Sequence, residues 1–302
     1  MPLVSIVIPT RNEQFLRQTT EDLLAKSRGD IEIIICMDGY DPEKDEKSVV
    51  DDRRVQYIEK PEAEGMRSGI NSCVFEANGD YILKIDGHCL LDDGYDIKLV
   101  KDSQPDWVVI PRRKRLDAEN WCVQDCGKPD VDYEFLSFPD NPSDFGGKGL
   151  NGRIWTQRIV DRMSNNAYDI DENMSFQGSC WFMPRALFDE LELMDDKMWG
   201  TFWSEAQEIG LRAWLSGKKV MTNKKTWYAH LHKGRKYGRG YHLDGKQLNV
   251  GSKQNMRFFA GEKMWKNQIH PLSWLIERLM PIPGWTQEEV DRLKERERLH
   301  WG

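Results

Sequence analysis

The sequence holds no run approaching the ~20 uninterrupted apolar residues of a membrane span. Its start, Met1-Pro2-Leu3-Val4-Ser5, lacks the basic residues that precede the apolar stretch of a secretory leader. A soluble, cytoplasmic chain with no membrane span is therefore expected. Cysteines are few: 36, 73, 89, 122, 126 and 180, with Cys122 and Cys126 the one close pair. That spacing suits neither a disulfide frame nor a zinc cluster, so reduced thiols are expected. Internal repeats and low-complexity tracts are missing, and so are G-x-G-x-x-G after the first strand and G-x-x-x-x-G-K-[ST] anywhere. The usual dinucleotide and P-loop cradles are thereby excluded, and any phosphate must be held another way.

What is present is a chain of 302 residues, 39% hydrophobic and 31% charged, which excludes disorder and allows one large α/β domain or two modest ones. Its net charge of −7 hides an asymmetry. Residues 218–266 carry thirteen Lys/Arg against two acids, net +11, leaving −18 for the remainder. Aromatic residues (Trp227, Tyr228, Tyr237, Tyr241, Phe258, Phe259, Trp265) are interleaved with these cations, a composition suited to phosphate-bearing ligands or to a solvated basic face.

The first hundred residues alternate strands and helices. Ser5–Pro9 reads as a buried parallel strand with Thr10-Arg11-Asn12-Glu13 as its polar exit, and a helix follows over 14–26. Ile31–Cys36, then Val55–Ile58, a helix over 66–78 and Tyr81–Ile85 continue a βαβαβ series. Such a series predicts a doubly wound, mostly parallel sheet whose ligands bind beyond the carboxyl ends of the strands, where Thr10 to Glu13, Asp38 and Asp86-Gly87-His88 fall. A strand at Val108–Pro111 is followed by a long irregular stretch containing Gly146-Gly147-Lys148-Gly149. Regularity returns with a strand over 175–183, a helix over 205–216, and a C-terminal helix over 286–299 opened by Thr286-x-x-Glu289.

Ile82-Leu83-Lys84-Ile85-Asp86-Gly87-His88 carries the strongest chemical signal: a carboxylate and an imidazole two apart at a strand end can ligate one divalent cation. The same residues also fit an ordinary turn. Glu208 and Arg212, four apart on one helical face, could simply pair. Trp199 and Trp203 suit stacking on a sugar or base, or a place in the core.

Val4–Glu13, followed by a helix and Glu32–Gly39, resembles the opening of family 2 glycosyltransferases with the GT-A fold. Glu64-Gly65-Met66-Arg67-Ser68, Ala77–Leu83 and Asp86-Gly87-His88-Cys89 are more similar to the polypeptide N-acetylgalactosaminyltransferases, whose metal motif is Asp-x-His. The likeness continues in Trp199-Gly200 and in Glu205-x-x-Glu208-x-x-x-Arg212-x-Trp214-x-x-Gly217. It implies a GT-A nucleotide-sugar transferase domain over 1–235 and a basic, aromatic-containing C-terminal extension over 236–302, helical or irregular and ending in a helix. It further implies a UDP-linked sugar donor, with Mn2+ or Mg2+ as cofactor. Thr10, Arg11 and Glu13 would lie around base and ribose, Asp38 would accept from the base, and Arg67 would approach the diphosphate. Asp86 and His88 would hold the metal, with a third histidine near the domain's end. His230 and His232 are the candidates, and His232-Lys233-Gly234-Arg235 fits the family's His-x-x-Arg, which favours His232 and places Arg235 by the donor. Gly178 would floor the sugar site, with Trp199 beside it, and Glu205 and Glu208 would be the catalytic carboxylates.

In inverting relatives the residue at position 206 is the base, but here it is alanine. Either Glu205 is the base, or another carboxylate such as Asp169 or Asp171 serves, or the enzyme retains configuration and the leaving diphosphate takes the proton. The expected reaction is metal-dependent transfer of a sugar to an acceptor hydroxyl on a glycan or on a hydroxylated base in DNA. The other reading is a nucleic-acid-binding protein on a degenerate transferase fold.

Overall fold

The computed structural model describes residues 1–142, 148–239, 241 and 245–301, the side chains of 247 and 248 excepted. Gly146 and Gly147 of the glycine-rich stretch lie outside the described residues. The strands are β1 Val4–Thr10, β2 Ile31–Asp38, β3 Val55–Lys60, β4 Tyr81–Ile85, β5 Cys89–Leu91, β6 Trp107–Asp117, β7 Cys122–Val123, β8 Glu134–Leu136, β9 Gly152–Ile154, β10 Ile170–Glu172, β11 Cys180–Pro184 and β12 Lys219–His230. They form a main sheet in the order β3-β2-β1-β4-β11-β6-β12-β10, with β5 and β7 joined to β12 and β6. The β3-β2-β1-β4 block and the β6–β12 pair are parallel, while β11 runs antiparallel between them. This is the expected doubly wound, mostly parallel α/β architecture.

Alternation along the strands sorts their side chains onto two faces. Val7, Ile34 and Ile82 pack under the helices Met66–Glu76 and Glu205–Leu215, while Ile6, Ile33, Leu83 and Ile85 pack under Leu16–Lys26 and Tyr95–Lys101. Each such side chain, fully buried, contributes roughly 1.5–3 kcal/mol. Because both faces are covered, the strands read as continuous apolar runs rather than alternating ones.

The reading is corrected at Val108–Pro111. The strand does not end at the proline but runs on to Asp117. Proline cannot donate to a ladder, and the structure accommodates it with a bulge: Pro111 pairs with Asn223 and Arg112 with Trp227, so three residues of β12 are looped out beside it. The bulge carries β6 and β12 onward to the site. The irregular stretch that follows contains a two-stranded sheet of β8 and β9, and the strand expected over 175–183 occupies only Cys180–Pro184.

The C-terminal helices Gly245–Phe259, Leu272–Leu279 and Gln287–Glu297 place Met256, Phe258, Leu275, Ile276, Val290 and Leu293 in one apolar cluster with Trp199 and Trp214. Thr286 caps the last helix, accepting from the Glu289 N–H at 3.3 Å. Among the described residues no helix is long and apolar enough to cross a membrane, and all six cysteines are free thiols.

Candidate active site

Three chain segments converge where β4 ends. The chain leaves β4 at Asp86, turns through Gly87 to His88 and enters β5, which pairs antiparallel with the end of β12. That pairing sets His230 opposite Cys89, and the Leu231 N–H donates to the His88 carbonyl at 3.2 Å. As a result the Nε2 atoms of His88 and His230 lie 3.0 Å apart, with Asp86 Oδ2 3.4 Å from His230 Nε2 and 3.9 Å from His88 Nε2.

This donor set fits a divalent cation. Two nitrogens each about 2.1 Å from a shared ion stand about 3 Å apart at a right angle. All three ligand atoms lie within 4.8 Å of one another. Burial pushes the His230 imidazole down to about 3 despite the opposing pull of Asp86, so it is neutral and its lone pair is free to ligate. His88 Nδ1 meets Glu13 Oε2 at 2.9 Å, a carboxylate brace that fixes the tautomer leaving Nε2 to the ion. Burial alone would raise the Glu13 carboxyl, but His88 and Lys233, the latter at 2.6 Å, outweigh it and hold it below its usual value. Gly87 is required here, because a Cβ would stand 2.9 Å from Glu13 Cγ.

The structure therefore brings His230, not His232, to Asp86 and His88. His232 lies past the end of β12, exposed, with its ring edge-on to that of His230 at 5.1 Å. The His-x-x-Arg spacing favours His232, whereas the β5–β12 register places His230 beside Asp86 and His88.

Lys84 went unnoticed in the sequence. It follows Ile82 by two on β4, so it faces the helix Glu205–Leu215, and it is 1% exposed. Its ammonium donates to Asp86 Oδ1 at 2.7 Å and to the Gly178 carbonyl at 2.6 Å, and lies 3.4 Å from Glu205 Oε2. Burial opposes its charge, yet Asp86 and Glu205 together hold its pKa above the usual lysine value. The signal available was a lone cation inside an apolar strand, one alternation before a metal-ligand candidate.

Glu205 is buried, accepts from Trp181 Nε1 at 2.6 Å, and has its pKa raised by that burial. Gly178 packs directly on it: a Cβ there would come within 2.8 Å of Glu205 Oε2. Gly178, Lys84 and Glu205 are thus packed against one another beside Asp86.

Several expected ligand contacts are replaced by contacts within the protein. Arg67 is fully enclosed, with Nε 2.9 Å from Glu208 Oε2 and Nη1 donating to the carbonyls of Gly200 and Trp203, so it does not reach out to a diphosphate. Glu208, equally enclosed, is the counter-ion of Arg67 and accepts from the Asp195 N–H at 2.8 Å, which leaves it no access to reacting atoms. Its expected pairing with Arg212 is not made; Arg212 binds Asp195 at 3.1 Å. Trp199 is a core residue stacked on Phe258, 6.1 Å between centroids, whereas Trp203 is 45% exposed. Asp171 on β10 accepts from Tyr133 at 2.8 Å. It registers through Thr222 with Ile110, five residues from Arg115 opposite His230, or about 17 Å along the sheet, too far to act as base there. Asp169 lies just before β10, on the same distant edge.

At the exit of β1, Thr10 Oγ1 is buried without a partner, and Arg11 lies over the Tyr241 ring at 5.4 Å. Asp38 is buried and accepts from the N–H groups of Glu64 and Gly65 at 2.7 and 3.0 Å. Arg235 is exposed on the short helix Gly234–Tyr237.

Comparison with known proteins bears on the fold that carries these residues. A 109-residue stretch is 30% identical to the uncharacterized glycosyltransferase EpsJ of Bacillus subtilis (strain 168), covering 34% of this chain and 31% of that one. The structure is similar to GalNAc-T7 solved with UDP, GalNAc and Mn2+: TM-score 0.65 at 15% identity, over 99% of this chain and 55% of that one. It is also similar to the mannosyltransferase PcManGT of Pyrobaculum calidifontis with GDP-Man and Mn2+, with TM-score 0.50 at 14% identity over 78% and 59%. A third likeness is to S. aureus TarS 1–349 with UDP-GlcNAc, with TM-score 0.50 at 12% identity over 99% and 72%. The chain thus spans about a third of the curated relative and about half of GalNAc-T7. Residues 5–192 match the family described as Glycosyl transferase family 2, and since they make up more than half of the chain, it belongs to that family and has its GT-A fold.

Proposed function

We propose that this chain transfers a sugar from a uridine diphosphate donor to a hydroxyl of a glycan, with Mn2+ or Mg2+ held by Asp86, His88 and His230. The observation that carries the reading is the braced triad: three ligand atoms from two distant segments, one of them oriented by Glu13. The cation, when bound, supplies positive charge to the diphosphate as it departs. Thr10, with its unpartnered buried hydroxyl, Arg11 and Asp38 line the nucleotide side at the strand ends. Two of the solved neighbours are complexes with UDP or a UDP-sugar.

Both oxygens of Glu205 already meet protein donors, so its remaining lone pairs suit a sugar hydroxyl better than the work of a free-standing base. With Ala206 in place of an acid and Asp171 remote, retention follows: the bond from the anomeric carbon to the diphosphate breaks, the acceptor oxygen bonds to the same face, and the diphosphate takes its proton.

A glycan acceptor is favoured over DNA because about half of the cations of the +11 segment are already paired with carboxylates. At least seven of its thirteen cations make ion pairs: Lys218–Glu190, Lys219–Glu172, Lys225–Asp102, Lys233–Glu13, Lys236–Glu119, Arg257–Glu262 and Lys266–Glu192. A surface built to release counterions from a polyanion would keep its cations exposed and unpaired. The completeness of the triad likewise speaks against a degenerate, purely nucleic-acid-binding protein.

The test is a donor-hydrolysis screen of UDP-sugars and GDP-mannose with Mn2+, followed by acceptor trials on oligosaccharides and on hydroxymethylated DNA. Metal-dependent hydrolysis and transfer to an oligosaccharide are expected. Transfer to DNA alone would overturn the acceptor assignment, and silence across the donors would overturn the donor assignment.

A further inference from the structure

We infer that Lys84 is a positioning residue that divides Asp86 between two duties and couples the cation site to the sugar pocket; this rests on the metal-site reading above. Asp86 has two carboxylate oxygens. Oδ1 is taken by the Lys84 ammonium at 2.7 Å, while Oδ2 alone is turned to His230 and His88. The ammonium therefore leaves the carboxylate one ligating oxygen, fixed in direction, where a free aspartate could rotate or offer both to an ion. The other two contacts of the ammonium are the Gly178 carbonyl and Glu205 Oε2, the carboxylate assigned above to a sugar hydroxyl. One point charge thus joins β4, the turn before β11 and the start of the helix Glu205–Leu215, and a shift at the cation reaches Glu205 through a single side chain.

The placement has a cost that a purely structural lysine would not predict. A cation beside Asp86 repels a second cation on the same carboxylate, and unit charges a few ångströms apart in a protein interact by kilocalories per mole. Lys84 therefore weakens the binding of bare metal while holding the geometry that transfer requires.

The experiment titrates Mn2+ into the full chain and into its Lys84→Met, Lys84→Arg and Asp86→Ala variants, counting free ion by electron paramagnetic resonance, and measures donor turnover at saturating Mn2+. The wild type is expected to bind one Mn2+ and Asp86→Ala to lose it. Lys84→Met should bind Mn2+ at least tenfold more tightly yet turn over donor at least a hundredfold more slowly. Should Lys84→Met fail to fold, Lys84→Arg decides. It keeps the charge, so Mn2+ affinity should stay within threefold of wild type, but a planar guanidinium cannot make the same three contacts, and turnover should fall at least tenfold. Wild-type affinity and turnover in Lys84→Met, or full turnover in Lys84→Arg, would overturn the role of Lys84 and leave the metal site standing. Equal Mn2+ binding by wild type and Asp86→Ala would overturn the metal site itself.

Discussion

His88 and His230, 142 residues apart in the chain, face each other across the β5–β12 pair with their Nε2 atoms 3.0 Å apart. The contact exists because His230 is the last residue of β12 and is registered against Cys89. His230→Ala should therefore abolish Mn2+ binding, while His232→Ala, at an exposed position past β12, should leave it within about threefold of wild type, roughly 0.65 kcal/mol. Titration of the two variants with Mn2+ separates them, and loss of binding in His232→Ala instead would show that β12 ends differently in solution.

Glu13 acts through His88. Glu13→Gln keeps the size of the side chain but removes the carboxylate from Nδ1, and metal affinity should drop by roughly 10–100-fold, the usual loss for a partner behind a ligating histidine. The melting temperature should change little. If metal affinity is retained and nucleotide affinity falls, Glu13 belongs with the ribose.

Arg67 and Glu208 form an ion pair with both side chains fully enclosed. Removing one partner strands the other charge, so Arg67→Met should destabilise the fold by about 3–5 kcal/mol. Calorimetry checks this directly. A stable variant with weakened UDP binding would return Arg67 to the diphosphate.

Burial raises the carboxyl of Glu297, which is 4% exposed and accepts from the Ser273 N–H at 2.9 Å. A carboxyl whose folded value lies above its unfolded one binds its proton more tightly in the native state. Its contribution is therefore full below the ordinary glutamate value and is lost as pH rises through the folded one. Glu297→Gln, which cannot ionise, should gain stability relative to wild type as pH climbs above about 4.5, the ordinary glutamate value. Parallel melting curves at pH 4 and pH 7 measure the difference, and an unchanged gap would contradict it.

The frame of the fold was legible because parallel strands buried on both faces read as unbroken apolar runs: β1, β2 and β4 stand where Val7, Ile34 and Leu83 indicated. The candidate ligands Asp86 and His88 were legible as neighbours at a strand end, where such sheets bind their ligands. What local pattern could not convey was anything decided by long-range register. His230 over His232 depends on β5 meeting β12, and the passage of β6 beyond Pro111 depends on a bulge in another strand. Glu208 reaches Arg67, 141 residues away, in preference to Arg212 one turn along its own helix. Trp199 and Trp203 are alike in sequence yet one is enclosed and the other 45% exposed, a difference set by the helix Gly245–Phe259 that carries Phe258 onto Trp199.

The most direct measurement is the calorimetric titration of UDP into the full chain with Mn2+, with excess chelator, and with Asp86→Ala in the presence of Mn2+. Binding in the first case and its loss in the other two are predicted, because the proposed function holds the diphosphate through a cation on the Asp86–His88–His230 triad. Equal UDP affinity with and without metal, or undiminished binding by Asp86→Ala, would contradict a metal-dependent nucleotide site built on these three residues.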